Sequence, residues 1–125
     1  MIDFKNAKFM KLKPIKVEEI IETMPKMFLD DETVFAAFKT VRDQLVFTDK
    51  RIIAANVQGI TGKKIDFTSI PYSRIQTFSV ETAGLIDLDC ELEIFVSSIG
   101  GIKFEIAGGF DLVAFSKLIS NYILR

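Results

Sequence analysis

From residue 33 onward the chain alternates short runs of Val, Ile, Phe and Thr with small polar clusters. TVFAAFK (33–39), QLVFT (44–48), RIIAANV (51–57), KKIDFTSI (63–70), RIQTFSVET (74–82), ELEIFVS (91–97) and IKFEIA (102–107) all have strand length and are rich in β-branched and aromatic residues. Turn-forming residues separate them at Thr40 to Asp43, Asp49 with Lys50, Gln58 to Gly62, Pro71 to Ser73, Ala83 to Leu88 and Ser98 to Gly101. Most of these connections are too short for a crossover helix, so seven antiparallel strands are expected over 33–107. Alternation is cleanest in three of them. Ile65 and Phe67 oppose Lys64, Asp66 and Thr68; Leu92, Ile94 and Val96 oppose Glu91, Glu93 and Ser97; Ile102, Phe104 and Ile106 oppose Lys103 and Glu105. Each predicts one dry and one wet face. RIIAANV is apolar on both faces, as expected of a strand covered from both sides or lying near a sheet corner.

The period changes at both ends of this region. In IKVEEIIETMPKMF (15–28), Val17, Ile20, Ile21, Met24, Met27 and Phe28 fall at helical spacing with Glu18, Glu19, Glu22 and Lys26 between them. A short amphipathic helix is predicted, ended or kinked near Thr23 by Pro25, with its apolar stripe docked on the domain. Residues 1–32 thus read as an N-terminal helical extension, closed by the acidic link Asp30, Asp31 and Glu32, a solvated loop in expectation. After Gly108 and Gly109, Asp111 is a candidate N-cap. Leu112, Phe115, Leu118, Ile119 and Tyr122 then share one stripe, with Ser116, Lys117 and Asn121 opposite. A capping helix over 111–124 is expected to close the open end of the strands. The whole of 1–125 therefore reads as one domain, long enough to bury about two-thirds of its unfolded surface.

Composition narrows the chemistry. Sixteen basic residues against 17 acidic ones leave no bulk attraction to a polyanion, so nucleic acid is not an expected partner. Histidine is absent. That removes the commonest metal ligand and the usual general base, and with it triad hydrolysis and zinc chemistry. Cys90 is the single cysteine and reads as a small buried apolar residue, which fits a reducing compartment. MIDFKNAKFMKLKP lacks the apolar stretch of a signal peptide, and no run approaches the roughly 20 apolar residues of a membrane span. A cytoplasmic location is expected, with peripheral attachment to a membrane left open. No cofactor is implied.

The string from Val41 to Leu92 carries VRD, VFTDKR, QGITGKK, SIPY, FSVETAG and DLDCEL in this order. It closely resembles the short bacterial pleckstrin-homology (PH)-like proteins, and the resemblance extends over nearly the whole chain. It implies a bent sandwich or barrel of seven antiparallel strands capped by a C-terminal helix. It also implies a tendency to assemble into ring-like homo-oligomers. Phe95 departs from the pattern, standing where a larger aromatic, usually Trp, is expected. PH-like domains bind headgroups, peptides or proteins, and some are purely architectural, so the task rests on particular residues.

Five groups of residues bear on that task. Thr48, Asp49, Lys50 and Arg51, inside LVFTDKRIIAANVQG, read as a tight turn between strands rather than a working site. Lys39, Arg42, Lys63 and Lys64 flank connections expected at one end of the sandwich, where four cations suit an anionic headgroup or membrane surface. The second-strand Arg-x-Arg pattern of phosphoinositide binders is missing, since Gln44 to Phe47 stand there. GITGKK has two residues between its glycines instead of four and lacks a following Ser or Thr, so it reads as a hairpin and not a P-loop. Asp87, Asp89, Glu91 and Glu93 form a linear acidic row, a solvated edge more than a cation site. Phe95 and Phe35 fall on otherwise polar or opposing faces, as cover for the N-terminal helix or as contacts to another subunit. The leading expectation is a non-catalytic module that assembles with itself and binds another protein. A peripheral adaptor on anionic lipid is the alternative. An enzyme would need a perturbed carboxylate or lysine in a concave pocket.

Overall fold

The computed structural model describes residues 1–82, 89–108 and 110–125. Its strands are β1 (Phe9–Pro14), β2 (Val34–Lys39), β3 (Gln44–Thr48), β4 (Arg51–Gln58), β5 (Lys64–Pro71), β6 (Ile75–Thr82), β7 (Cys90–Val96) and β8 (Gly100–Ile106). The chain ends in one α-helix, α1 (Leu112–Ile123). The strands form a single curled sheet in the order β5-β4-β3-β2-β1-β8-β7-β6. The expected seven strands are thus corrected to eight among the described residues. The segments read as strands become β2 to β8, and the additional one, β1, lies in the stretch taken for a helical extension.

β1 joins the two halves of the sheet. It pairs antiparallel with β2 at Lys13 and Pro14 and parallel with β8 at Phe9 and Leu12, so the expected wholly antiparallel pairing is also corrected. Its buried residues Phe9 and Leu12 are three apart, which hides the strand from a period-2 search. A bulge accounts for the spacing. Lys11 has φ of 55°, and between Phe9 and Leu12 the register against β8 shifts, so both side chains reach the same core.

The other half of the N-terminal expectation also changes. Residues 15–28 form two single 3-10 turns, Val17–Glu19 and Pro25–Met27, and no α-helix. Pro14 and Pro25 bracket too few residues for a stable helix, and three of those are β-branched isoleucines or valine at 17, 20 and 21. The backbone groups a helix would pair internally go to Gln44 instead. Its Oε1 accepts from Ile21 N at 2.9 Å, and its Nε2 donates to the Glu19 carbonyl at 3.0 Å. The apolar stripe does dock: Ile20 and Met24 are buried on the outer face of the sheet with Ala37, Val46, Ile53 and Ala55. Burial of each large side chain contributes about 1.5 to 3 kcal/mol.

β3 and β4 are therefore covered twice. Leu45, Phe47, Ile52 and Ala54 face the inner core while Val46, Ile53 and Ala55 face the strap of residues 15–28. In β5 the wet face points the unexpected way. Ile65 and Phe67 turn outward to the strap, and Asp66 and Thr68 turn inward, where Thr68 Oγ1 accepts from Ile2 N at 3.0 Å. α1 closes the inner core. Asp111 accepts from Ala114 N at 3.0 Å as N-cap, and Phe115 and Ile119 are buried. Phe115 meets Phe38, Phe47 and Phe110 edge-on at centroid distances of 5.8, 5.0 and 5.6 Å, each pair adding about 0.5 to 1.5 kcal/mol beyond area burial.

One ion pair fastens the strap. The Glu32 side chain is fully buried and receives Arg51 Nη2 and Nε, both at 2.9 Å, and Thr48 Oγ1 at 2.6 Å. Arg51 Nη2 also donates to the Met27 carbonyl at 3.1 Å. Glu32, expected in a solvated loop, is the anchor because Arg51 is within its reach across the β3–β4 turn. Burial alone would raise its carboxyl pKa. Hydrogen bonds from Arg51, Thr48 and the Leu29 amide, with the Arg51 charge, outweigh that and hold it below its ordinary value of about 4.5. Glu32→Gln and Arg51→Ala are each expected to lower unfolding free energy at neutral pH by about 3 kcal/mol in urea titrations. Because the folded pKa is depressed, this stabilisation is complete above the unfolded value and is lost as pH falls through the folded one, so the gap between wild type and Glu32→Gln should close in acid.

Candidate functional site

The connections after β2 and after β4 lie side by side. Thr40 Oγ1 accepts from Asp43 N at 2.9 Å, shaping the first turn. Asp43 then accepts from Val57 N at 2.9 Å and from Asn56 Nδ2 at 3.2 Å, binding that turn to the end of β4. Arg42 Nη2 donates to the Gly59 carbonyl at 2.5 Å, linking the two turns directly. The second turn is a hairpin whose foot is the pair Gln58 and Lys64, with Gly59 and Gly62 at φ of 75° and 67°. GITGKK is thus a hairpin loop, and those positive φ values are what call for glycine there. Lys39, Arg42, Lys63 and Lys64 are all exposed at this end of the sheet, and Lys13 stands opposite Lys39 in the β1–β2 ladder. At the tips of the same turns Val41 and Ile60 are fully exposed.

A second surface is the outer face of β6, β7 and β8. No strap covers it. Along β7 the inward residues Cys90, Leu92, Ile94 and Val96 are buried, and Phe95 remains 46% exposed. Its neighbours across the ladders are Thr77 and Gly101, neither of which shields the ring. Glu91 and Glu93 share the face with Lys103, whose Nζ lies 3.8 and 3.9 Å from their oxygens. At that length and exposure the pairs add little stability and leave the face acidic. Phe35 is elsewhere. A bulge between Val34 and Ala36 turns it from the alternation expected of it, and its ring stacks on Tyr122 at 5.3 Å beside Phe47.

Asp87, in the acidic row, lies outside the described residues. Asp89 accepts from Gly108 N at 2.6 Å, so its carboxylate serves the end of β8. Among the described residues no three acidic or thiol side chains converge on a point where an ion could sit, and no helix is long and apolar enough to cross a membrane. In the quoted turn, Thr48 Oγ1 accepts from Lys50 N at 3.0 Å and Arg51 N at 3.1 Å, and Asp49 accepts from Thr33 N at 2.9 Å. Those residues build the turn and the strap anchor. Val41 and Ile60 lie within the turn-forming stretches Thr40 to Asp43 and Gln58 to Gly62, where alternation carries no signal.

Cys90 is buried in the inner core, and burial, helped by the neighbouring charge of Asp89, pushes its thiol pKa up. The thiolate is the reactive form, so native protein should label with a disulfide reagent on the order of a hundredfold more slowly than protein unfolded in urea. Equal rates would show an accessible thiol.

The model of the family described as "Bacterial PH domain" matches residues 3–123. The chain is 59% identical over 76 residues to the uncharacterized protein YjqA of Bacillus subtilis, a stretch covering 61% of either chain. A crystal structure of a DUF1696 family protein with a pleckstrin-homology domain from Shewanella loihica superposes with a TM-score of 0.76 at 35% identity, covering 91% of this chain and 98% of that one. A pleckstrin homology domain from Shewanella amazonensis gives 0.63 at 37% identity, covering 96% and 94%.

Proposed function

The chain belongs to the bacterial PH domain family, and on that premise we propose that it is a non-catalytic binding module that associates with its own copies and with another protein through the outer face of β6 to β8. The fold hosts many tasks, so the choice rests on a site. The observation that carries it is Phe95, an aromatic ring 46% exposed on the middle strand of β6 to β8 beside the β7–β8 turn, on a face that the strap does not reach among the described residues. The other half of the same sheet has its outer face closed by the strap. An aromatic on an open face, with charged residues around it, has the make-up of an interface centre with a polar rim. Phe35 does not contribute to this surface, because α1 occupies its ring. Phe95→Glu should lower the mass measured by light scattering while leaving the far-ultraviolet circular dichroism unchanged. An oligomer of undiminished mass would take Phe95 out of the interface.

A second reading uses the other surface: a peripheral adaptor whose Lys39, Arg42, Lys63 and Lys64 meet anionic lipid. The hydrogen bond from Arg42 to Gly59 favours it, since it holds two basic turns as one surface. Cations near an anionic leaflet contribute about 1 kcal/mol each, screened by salt. The protein should then sediment with anionic vesicles at low salt and release them as salt rises, and Lys63→Glu with Lys64→Glu should abolish sedimentation. Sedimentation that ignores salt would remove this reading.

A further inference from the structure

The outer face of β6, β7 and β8 continues towards β1 into a groove of about 370 Å³. One wall is the N-terminal turn, tied by Ala7 N to the Asp3 carbonyl at 2.8 Å and by Asn6 Nδ2 to Asp3 Oδ2 at 2.6 Å. That turn carries Phe4, whose ring rests against Phe9 at a centroid distance of 6.0 Å. Beyond it Met10 of β1 stands 49% exposed at the groove. The opposite wall is the sheet, with Glu91 and Glu93 of β7 and Lys103 and Glu105 of β8. At Glu93 and Gly101 the groove meets a second depression, which Phe95 borders.

The ladders line up the charges beside this groove. Glu81 stands opposite Glu91 and Glu91 opposite Glu105, so three carboxylates form one row across three strands. Like charges directly opposite one another weaken a sheet. Lys103 answers in part, from 3.8 and 3.9 Å, to Glu91 and Glu93, while Glu81 and Glu105 make no ion pair among the described residues. A row that costs the fold stability, next to apolar side chains left in water, fits an occupant that brings cations and hydrocarbon together. A bare cation would leave Phe4 and Met10 unmatched, and nucleic acid or an anionic bilayer would be repelled. The other half of the sheet shows the form such an occupant takes. There the strap lays Ile20 and Met24 on the outer face, and Arg51 of the sheet grips Glu32 of the strap. On the open half the sheet supplies the anions instead.

We propose that the groove takes a strap from another protein, an elongated segment bearing lysine or arginine, whose apolar side chains lie against Phe4 and Met10 and whose cations meet the row of Glu81, Glu91 and Glu105. This rests on the protein-binding part of the first reading above and names the chemistry of that partner. The probe is a fluorescent synthetic peptide of leucine and lysine in helical amphipathic order, with a leucine and glutamate peptide as its counterpart. Anisotropy measured against the full chain should show binding of the first and none of the second. Glu91→Gln with Glu105→Gln should weaken binding at least about tenfold, and Met10→Ser about fivefold. Glu18→Gln with Glu22→Gln removes the same charge from exposed positions of the strap and should change nothing. Added salt should weaken the wild type more steeply than the Glu91, Glu105 variant.

Equal binding of the two peptides, or an equal loss in the Glu18, Glu22 variant, would refute the groove. If Phe95→Glu lowers the mass in light scattering while the lysine peptide does not bind, the cationic segment is refuted and self-association stands. If the peptide binds as expected and the mass ignores Phe95, self-association falls and the groove stands. A loss of mass in the Glu91, Glu105 variant would put a second copy in the groove and overturn the outside partner. Spermidine that displaces the peptide and binds Met10→Ser as well as wild type would overturn the segment in favour of a small polyamine.

Discussion

A single buried carboxylate decides which parts of this sheet meet water. Glu32, gripped by Arg51 and Thr48, ends the strap that closes the outer face of β2 to β5. A buried ion pair is a poor source of net stability, since desolvation offsets much of the attraction. Its value here is positional. Arg51 also holds the Met27 carbonyl and Ser69 Oγ, so one guanidinium ties the strap to β4 and β5 together. With Gln44 holding the strap's other end at Glu19 and Ile21, two polar side chains of adjacent strands locate an element whose own secondary structure is two single 3-10 turns.

The asymmetry that follows shapes the functional surfaces. On one half of the sheet both faces are dry; on the other, the inner face is dry and the outer one open. β1 is the seam between them, pairing with each half and bulged at Lys11 so that it can do so. The core inside the curl is closed by α1 through edge-on contacts of Phe115, and by Tyr72, whose hydroxyl donates to the Thr48 carbonyl at 2.6 Å. The outer face of β6 to β8 and the hairpin tips after β2 and after β4 are among the surfaces that the described residues leave open.

Much of the architecture was legible in the chain because its signals are local. β2 to β8 follow from alternation and turn chemistry, and α1 follows from the Asp111 cap and its stripe. What could not be read depended on distant partners. Phe9 and Leu12 break the period of two because a bulge lies between them. The strap has helical spacing because Ile20 and Met24 both reach down onto a sheet, and spacing alone does not say whether a helix or two turns deliver them. Glu32 looked solvated because its partner is 19 residues away on another strand. The grouping of basic residues at one end was inferable from hairpin geometry, but the bond from Arg42 to Gly59 that consolidates it was not. Phe35 changed face for the same reason as Phe9, a local bulge that the alternation does not announce.

The distribution of roles within the string from Val41 to Leu92 separates structure from function. Asp43, Thr48, Arg51, Gly59, Gly62 and Tyr72 all belong to the motifs that carry the family resemblance, and each is consumed by a turn, an anchor or a hydrogen bond inside the fold. They explain why such chains share a shape and are silent about what the shape meets. A side chain can be assigned to an outside partner only when the fold leaves it without one. By that criterion Val41, Ile60 and Phe95 stand out among the described residues of strands and hairpin turns, together with Met10 of β1. Val41 and Ile60 sit inside the basic rim and Phe95 on the acidic face. The two surfaces are thus chemically opposite, one basic with aliphatic tips and one acidic with an aromatic ring.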